Sequence, residues 1–150
     1  MLISCNLTDK NANKKIIKFN SSTGITSLDP AFARTQENIR AVNQLFNGLV
    51  QLDSQLNVVP SIAKKWSISD DGKTYNFVIN TGVFFHNHPV FKTSKREVTA
   101  SDFEYSFSRI INPTTASDGA WIFNDIIDKS QPFKAVNDTL FQIRLKKPFT

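Results

Sequence analysis

Apolar residues recur along this chain at two spacings, and the switches between them mark out the elements. From Glu37 to Phe46 the apolar positions Ile39, Val42, Leu45 and Phe46 lie three or four residues apart. That spacing predicts an amphipathic helix, closed by Asn47-Gly48 with glycine just past its end. Leu49-Val50-Gln51-Leu52 then reads as a returning strand. Upstream, Ile16-Ile17-Lys18-Phe19 is a short apolar run that ends at Asn20-Ser21-Ser22-Thr23-Gly24, which predicts a first strand entering a loop. Ser27-Leu28-Asp29-Pro30 follows as a turn, because the proline ring holds Asp29 extended.

Further along, Val58-Val59-Pro60 leads to a predicted helical turn at Ser61–Lys64. A hairpin comes next. Trp66-Ser67-Ile68-Ser69 forms one arm, Asp70-Asp71-Gly72-Lys73 the corner and Thr74 to Asn80 the other arm. Tyr75, Phe77 and Ile79 alternate with Thr74, Asn76 and Val78, the period of a half-buried strand, and Asp-Gly supplies the turn's backbone freedom. Thr99-Ala100-Ser101-Asp102 has the form of a capping box. The helix it opens runs to about Ile111, with Phe103, Phe107, Ile110 and Ile111 on one face and Asn112-Pro113 as its stop. A second helix is predicted over Gly119 to Ile127. After Asn137-Asp138, Phe141, Ile143 and Leu145 alternate with Gln142 and Arg144 as a last strand. The fold class is therefore mixed α/β, with no internal repeat.

Composition adds an ordered core: 13 Phe and two Trp among 150 residues, with 40% of positions hydrophobic. No run approaches the roughly 18–20 apolar residues of a membrane-spanning helix. The net charge of +5 is unevenly placed, since Lys10, Lys14, Lys15 and Lys18 face only Asp9 at the start. Elsewhere the two signs are interspersed, and the cluster Lys92, Lys95, Arg96 has Glu97 beside it. Nucleic-acid binders carry a basic stripe with interleaved aromatics, so no nucleic-acid partner is expected.

The sole cysteine, Cys5, excludes an internal disulfide. Leu2-Ile3-Ser4-Cys5 fits a bacterial lipobox, in which the cysteine is lipidated, and Asn6 to Lys15 suits a flexible tether. Only Met1 precedes that pattern, so the charged and apolar parts of a signal peptide are absent: either the start is trimmed or misassigned, or the match is chance. Chemistry is sparse. His86 and His88 could point two rings to one face, but a metal needs three or four ligands, and two loop histidines beside Pro89 is the plainer account. There is no phosphate-binding glycine loop and no Gly-x-Ser-x-Gly elbow. Asp70-Asp71 is explained by its turn, and the expectation is no catalysis, no cofactor and no metal.

A series of motifs, in order, carries more. Ser27-Leu28-Asp29-Pro30 is followed by Leu45-Phe46-Asn47-Gly48-Leu49-Val50 and then by Pro60-Ser61-Ile62-Ala63-Lys64-Lys65-Trp66. Asp71-Gly72-Lys73-Thr74-Tyr75-Asn76-Phe77, Gly82-Val83-Phe84-Phe85-His86 and Val98-Thr99-Ala100-Ser101-Asp102-Phe103 complete the succession. Over about residues 16–150 it resembles the extracellular solute-binding proteins of family 5, which serve oligopeptide, dipeptide and nickel importers. Arg109-Ile110-Ile111-Asn112-Pro113 before Thr115-Ala116-Ser117 resembles the peptide-binding branch. Asn47 stands where the family usually has Glu, Asn80 where it has a basic residue, and Asn87 to Glu97 replaces a tighter turn.

The resemblance implies a type II, venus-flytrap periplasmic-binding-protein fold: a partial first lobe plus an extra α+β domain. Residues 1–15 would be lipobox remnant and tether, 16–48 the start of the first lobe, and 49–150 an incomplete extra domain. It implies a substrate-binding component that captures peptides outside the cytoplasmic membrane and delivers them to the permease subunits of an ABC transporter. The protein would be periplasmic or cell-surface, held to the membrane by a lipid on Cys5. Two segments should reach the cleft, Arg34-Thr35-Gln36 and Ser117-Asp118-Gly119-Ala120-Trp121. Trp121 would wall a side-chain pocket or else anchor the second helix in the core. Gly119 occupies a position where peptide binders often carry an aromatic. The family's acidic partner for the peptide amino group lies beyond residue 150, so the resemblance also implies a fragment that alone binds peptide weakly or not at all. The same scaffold could instead carry nickel chelates, haem or sugars, or serve a surface lipoprotein in adhesion or signalling.

Overall fold

A computed structural model describes residues 20, 23–92 and 95–149. The predicted strand at 16–19, the tether and Cys5 lie outside the described residues. The helix α1 spans Gln36–Leu45, strands β1 Val50–Leu52 and β2 Val58–Pro60 form a small antiparallel pair, and β3 Ala63–Ile68 and β4 Thr74–Ile79 form the predicted hairpin. The helix α2 spans Ala100–Ile111, and strands β5 Phe133–Asn137 and β6 Leu140–Arg144 close a four-stranded antiparallel sheet of order β3-β4-β6-β5. Short 3-10 turns occupy Pro30–Phe32, Pro113–Thr115 and Asp118–Ile122.

The sheet and α2 share the core. Phe77 and Ile79 of β4 are buried, as their alternation predicts, and Tyr75 is half-buried. Phe141 of β6 is fully buried, and the rings of Phe103 and Phe107 from α2 lie 6.0 and 5.5 Å from it. Phe107 continues to Phe133 at 5.3 Å, and Phe123 meets Phe133 edge-on at 84°. Such offset and edge contacts pair each ring's negative face with a neighbour's positive edge. The bulge between Ala135 and Asn137 interrupts the β5 ladder, and the Ala135 N–H turns instead to the Glu104 carboxylate of α2 at 2.7 Å.

The capping box holds. The Asp102 carboxylate accepts from the Thr99 backbone N–H at 2.8 Å. The Arg96 fork donates to both of its oxygens, at 2.9 and 2.5 Å. Arg96 also lies 4.7 Å from the Phe85 ring, so one side chain joins the 84–97 loop to the start of α2. Gly72 has φ +67° at the hairpin corner, where a Cβ would sit 3.1 Å from that of Pro148.

Three local expectations are corrected. Residues 61–64 form no helical turn, because the N–H groups of Ser61 and Ala63 both donate to the Leu49 carbonyl and draw the chain into β3. Residues 119–127 form no α-helix either. The 3-10 turn ends at Ile122, a further turn follows, and Ile127 pairs with Leu145. Gly119 and the Asn124-Asp125 pair are poor helix formers, and the pairing at Ile127 holds the chain extended. The helix α1 stops at Leu45, with Phe46 as an extended C-cap at φ −128°, so Gly48 is not its left-handed terminator.

Candidate ligand-binding site

The two segments expected at a cleft lie side by side. Asp29 caps the first 3-10 turn, its Oδ1 accepting from the Ala31 N–H at 3.0 Å. Ser117 caps the last one, its Oγ accepting from the Gly119 N–H at 3.2 Å. The two turns are then cross-linked. The Ser117 hydroxyl donates to the Ala31 carbonyl at 2.6 Å, and the Arg109 guanidinium donates to both oxygens of Asp29, at 2.8 and 2.6 Å. These bonds place Arg34 and Asp118 opposite each other where the two turns meet, 3.6 Å apart, and this junction is called the rim.

The rim residues differ in what they can offer. Arg34 and Asp118 are open, with side chains 77% and 51% exposed, and such a pair holds weakly in water. Trp121 is 75% exposed and Ile122 also faces out, so Trp121 does not anchor the core formed by the described residues. The Thr35 hydroxyl caps α1 by accepting from the Asn38 N–H at 3.3 Å, and Gln36 is exposed on the first turn. Gly119 is half-buried. Ser117 is buried, its hydroxyl engaged both as donor and as acceptor. Asn38, 2% exposed, grips Thr26 through both ends of its amide, which fixes the approach to the rim.

Electrostatically the rim holds one tight pair, Asp29 with Arg109, and one loose pair, Arg34 with Asp118. Asp29 is held below its ordinary carboxyl value, first by the hydrogen bonds from Arg109, then by the Ala31 N–H and the Arg109 charge, against an opposing cost of burial. Among the described residues no three His, Cys, Asp or Glu side chains come together to hold a metal. His88 Nδ1 accepts from the Val90 N–H at 3.2 Å, a local loop bond. A separate concavity of about 540 Å³ is walled by Leu45, Phe46, Phe84, Phe85 and Phe103 and shares no residue with the rim. The one carboxylate on its wall, Asp102, is engaged by Arg96.

The pairing of Asp29 with Arg109 is the feature that sequence reasoning missed. Eighty residues separate the two, and no local spacing announces such a contact.

The chain matches the model for bacterial extracellular solute-binding proteins, family 5 Middle, over residues 57–150. It is 29% identical to a dipeptide-binding protein of Lactococcus lactis, over 99% of this chain and 27% of that protein. It is 30% identical to the dipeptide-binding protein DppE of Bacillus subtilis, over 75% of this chain and 20% of that one. Its fold superposes on OppA of Listeria monocytogenes bound to peptide with a TM-score of 0.77 and 27% identity, over 87% of this chain and 26% of that chain. The chain thus spans about a quarter of the length of the proteins it matches.

Proposed function

The chain belongs to the bacterial extracellular solute-binding proteins of family 5, and from that membership we propose that it serves a peptide importer. In this reading it is part of the substrate-binding component of an ABC transporter, capturing peptides outside the cytoplasmic membrane and passing them to the permease. The observation that carries the reading is that relatives from Lactococcus, Bacillus, Pseudomonas and Escherichia are named as di- or tripeptide-binding proteins, although one other is named as deoxycholate-binding. The rim supports it: Trp121 offers an exposed apolar wall, and Arg34 and Asp118 offer opposite charges to a ligand that carries both. Extended peptide pairs its backbone with a receptor much as an added strand does, which leaves side chains to such walls. Family proteins act by binding, and no catalytic step is assigned to any residue. The lipobox reading of Cys5 belongs to the same proposal, as the anchor that keeps the receptor near its permease.

Titrating the full-length native protein with a library of di- to pentapeptides, by calorimetry, tests the reading. Micromolar or tighter binding of library members is the expected result, and Trp121→Ala should weaken it about tenfold while leaving the melting temperature within about 1 °C, since the indole buries little. Binding of a nickel–histidine complex, haem or an oligosaccharide with no response to any peptide would overturn it. For the anchor, palmitate labelling that survives Cys5→Ala would remove the lipid from the account.

A further inference from the structure

Two short turns of different origin meet at the rim, and packing alone does not fix how they sit. Ala31 is buried but small, Phe32 is partly exposed, and Ile122 and Trp121 face solvent, so little apolar surface locks the Pro30–Phe32 turn to the Asp118–Ile122 turn. The Arg34–Asp118 pair is exposed and 3.6 Å long, too weak to set an orientation. The directional contacts are elsewhere. Arg109 presents a planar fork to both oxygens of Asp29, and a two-point bond fixes angle as well as distance. The Ser117 hydroxyl donates to the Ala31 carbonyl two residues further on, a second fixed point 2.6 Å long.

Each of these side chains is also a cap. Asp29 caps the turn that ends two residues before Arg34, and Ser117 caps the turn that carries Trp121. Any slip in the clasp would therefore rotate the rim residues themselves.

We infer that Asp29, Arg109 and Ser117 are positioning residues for ligand capture, a polar clasp that sets the rim without touching the ligand. The inference rests on the peptide-capture reading and deepens it: Ser117 moves from ligand contact to support, and Arg109 enters the site from α2. Binding groups displaced by about an ångström lose most of their benefit, so the clasp governs affinity more than global stability.

The test uses the full-length native protein and the tightest peptide from the library, with tri-alanine as a second probe. Asp29→Asn retains an oxygen for the Ala31 N–H and removes the charge, Arg109→Lys keeps charge without the fork, and Arg109→Gln removes both. Ser117→Ala is a smaller perturbation, should any charge variant fail to fold. Two readouts are taken together: peptide affinity, and amide exchange at Arg34 and Gly119 against exchange along β4 and β6. Arg109→Gln should weaken peptide about tenfold and speed exchange at the two rim amides by about tenfold, a loss on the scale of one charge-assisted bond, while β4 and β6 hold their rates. Arg109→Lys should recover part of both effects. Exchange that quickens equally in rim and sheet, or a loosened rim with unchanged affinity, overturns the inference while leaving the peptide reading intact. A wild-type protein that binds no peptide overturns the reading on which it rests.

Discussion

Phe141→Ala is the sharpest probe of the core. Phe141 has no exposed surface and sits on β6, between β4 and β5, with the rings of Phe77, Phe103, Phe107 and Phe133 within 6.5 Å. Truncation removes a buried ring and leaves a cavity, and Phe→Ala losses of this kind run about 3–5 kcal/mol. The site should lie in the upper half of that range. The floor of the cavity is backbone laddered on both sides, and the α2 rings are held by their own neighbours, so collapse is restricted. A loss of about 4 kcal/mol is a large part of the roughly 5–15 kcal/mol that stabilises a domain. With a urea slope of about 2 kcal/mol per molar, the unfolding midpoint should fall by about 2 M. Phe141→Leu should cost about 1–2 kcal/mol, and Phe149→Ala, at a residue 66% exposed, less than about 0.5. Urea unfolding followed by circular dichroism measures all three. A Phe141→Ala loss under about 1.5 kcal/mol would mean that the cluster is not the core described here.

Asp102→Ala removes the acceptor of the Arg96 fork and of the Thr99 N–H together, and should cost about 2–3 kcal/mol in the same assay; Asp102→Asn, which can still cap, should cost clearly less. Leu56 holds φ +66° while 76% exposed, so Leu56→Gly gives up almost no packing and should stabilise by about 0.5–1 kcal/mol; a destabilised variant would refute the strain. The Asp29 carboxyl is depressed, chiefly by Arg109, so its contribution is complete above the ordinary value of 3.8 and is lost as pH falls through the lower folded-state value. Because the pair is about one third exposed, solvent screening keeps that contribution small. Thermal melts should therefore show Asp29→Asn less stable than wild type at pH 7 and the gap closing below about pH 4; a gap unchanged down to pH 2 would contradict the ion pair.

What the sequence made legible tracks how local the cause is. The β3–β4 hairpin could be read because Tyr75, Phe77 and Ile79 face one packed side and Asp71-Gly72 carries its own turn chemistry. The α2 helix could be read because Thr99 and Asp102 start it and Asn112-Pro113 ends it. Strand β5 escaped notice. Only Phe133 and Ala135 turn inward before the bulge breaks the alternation, and its stabilising bond comes from Glu104, 31 residues away. The helices expected at 61–64 and 119–127 failed for the same reason in reverse: their local pattern was acceptable, and distant partners at Leu49 and Leu145 drew the chain out.

The site follows the same logic. Resemblance, not spacing, located Arg34-Thr35-Gln36 and Ser117 to Trp121, and their neighbouring positions come from bonds that span about 80 residues. Asp29, Thr35 and Ser117 each precede a turn or helix, so each has a sufficient local role as a cap and nothing in the sequence asks for a second. The structure separates them by whether capping exhausts the group. Ser117 has spent both donor and acceptor, and Asp29 has given both oxygens to Arg109 while capping Ala31. Ser117 has no proton left to donate and is buried, and each keeps at most a spare acceptor lone pair. Arg34 and Asp118 hold each other loosely in water, and Trp121 presents an open indole, so under the proposed function these three would exchange solvent for ligand at small cost. On the peptide-capture proposal, binding would therefore fall to the side chains that the fold has left least engaged, and precision to those it has engaged most.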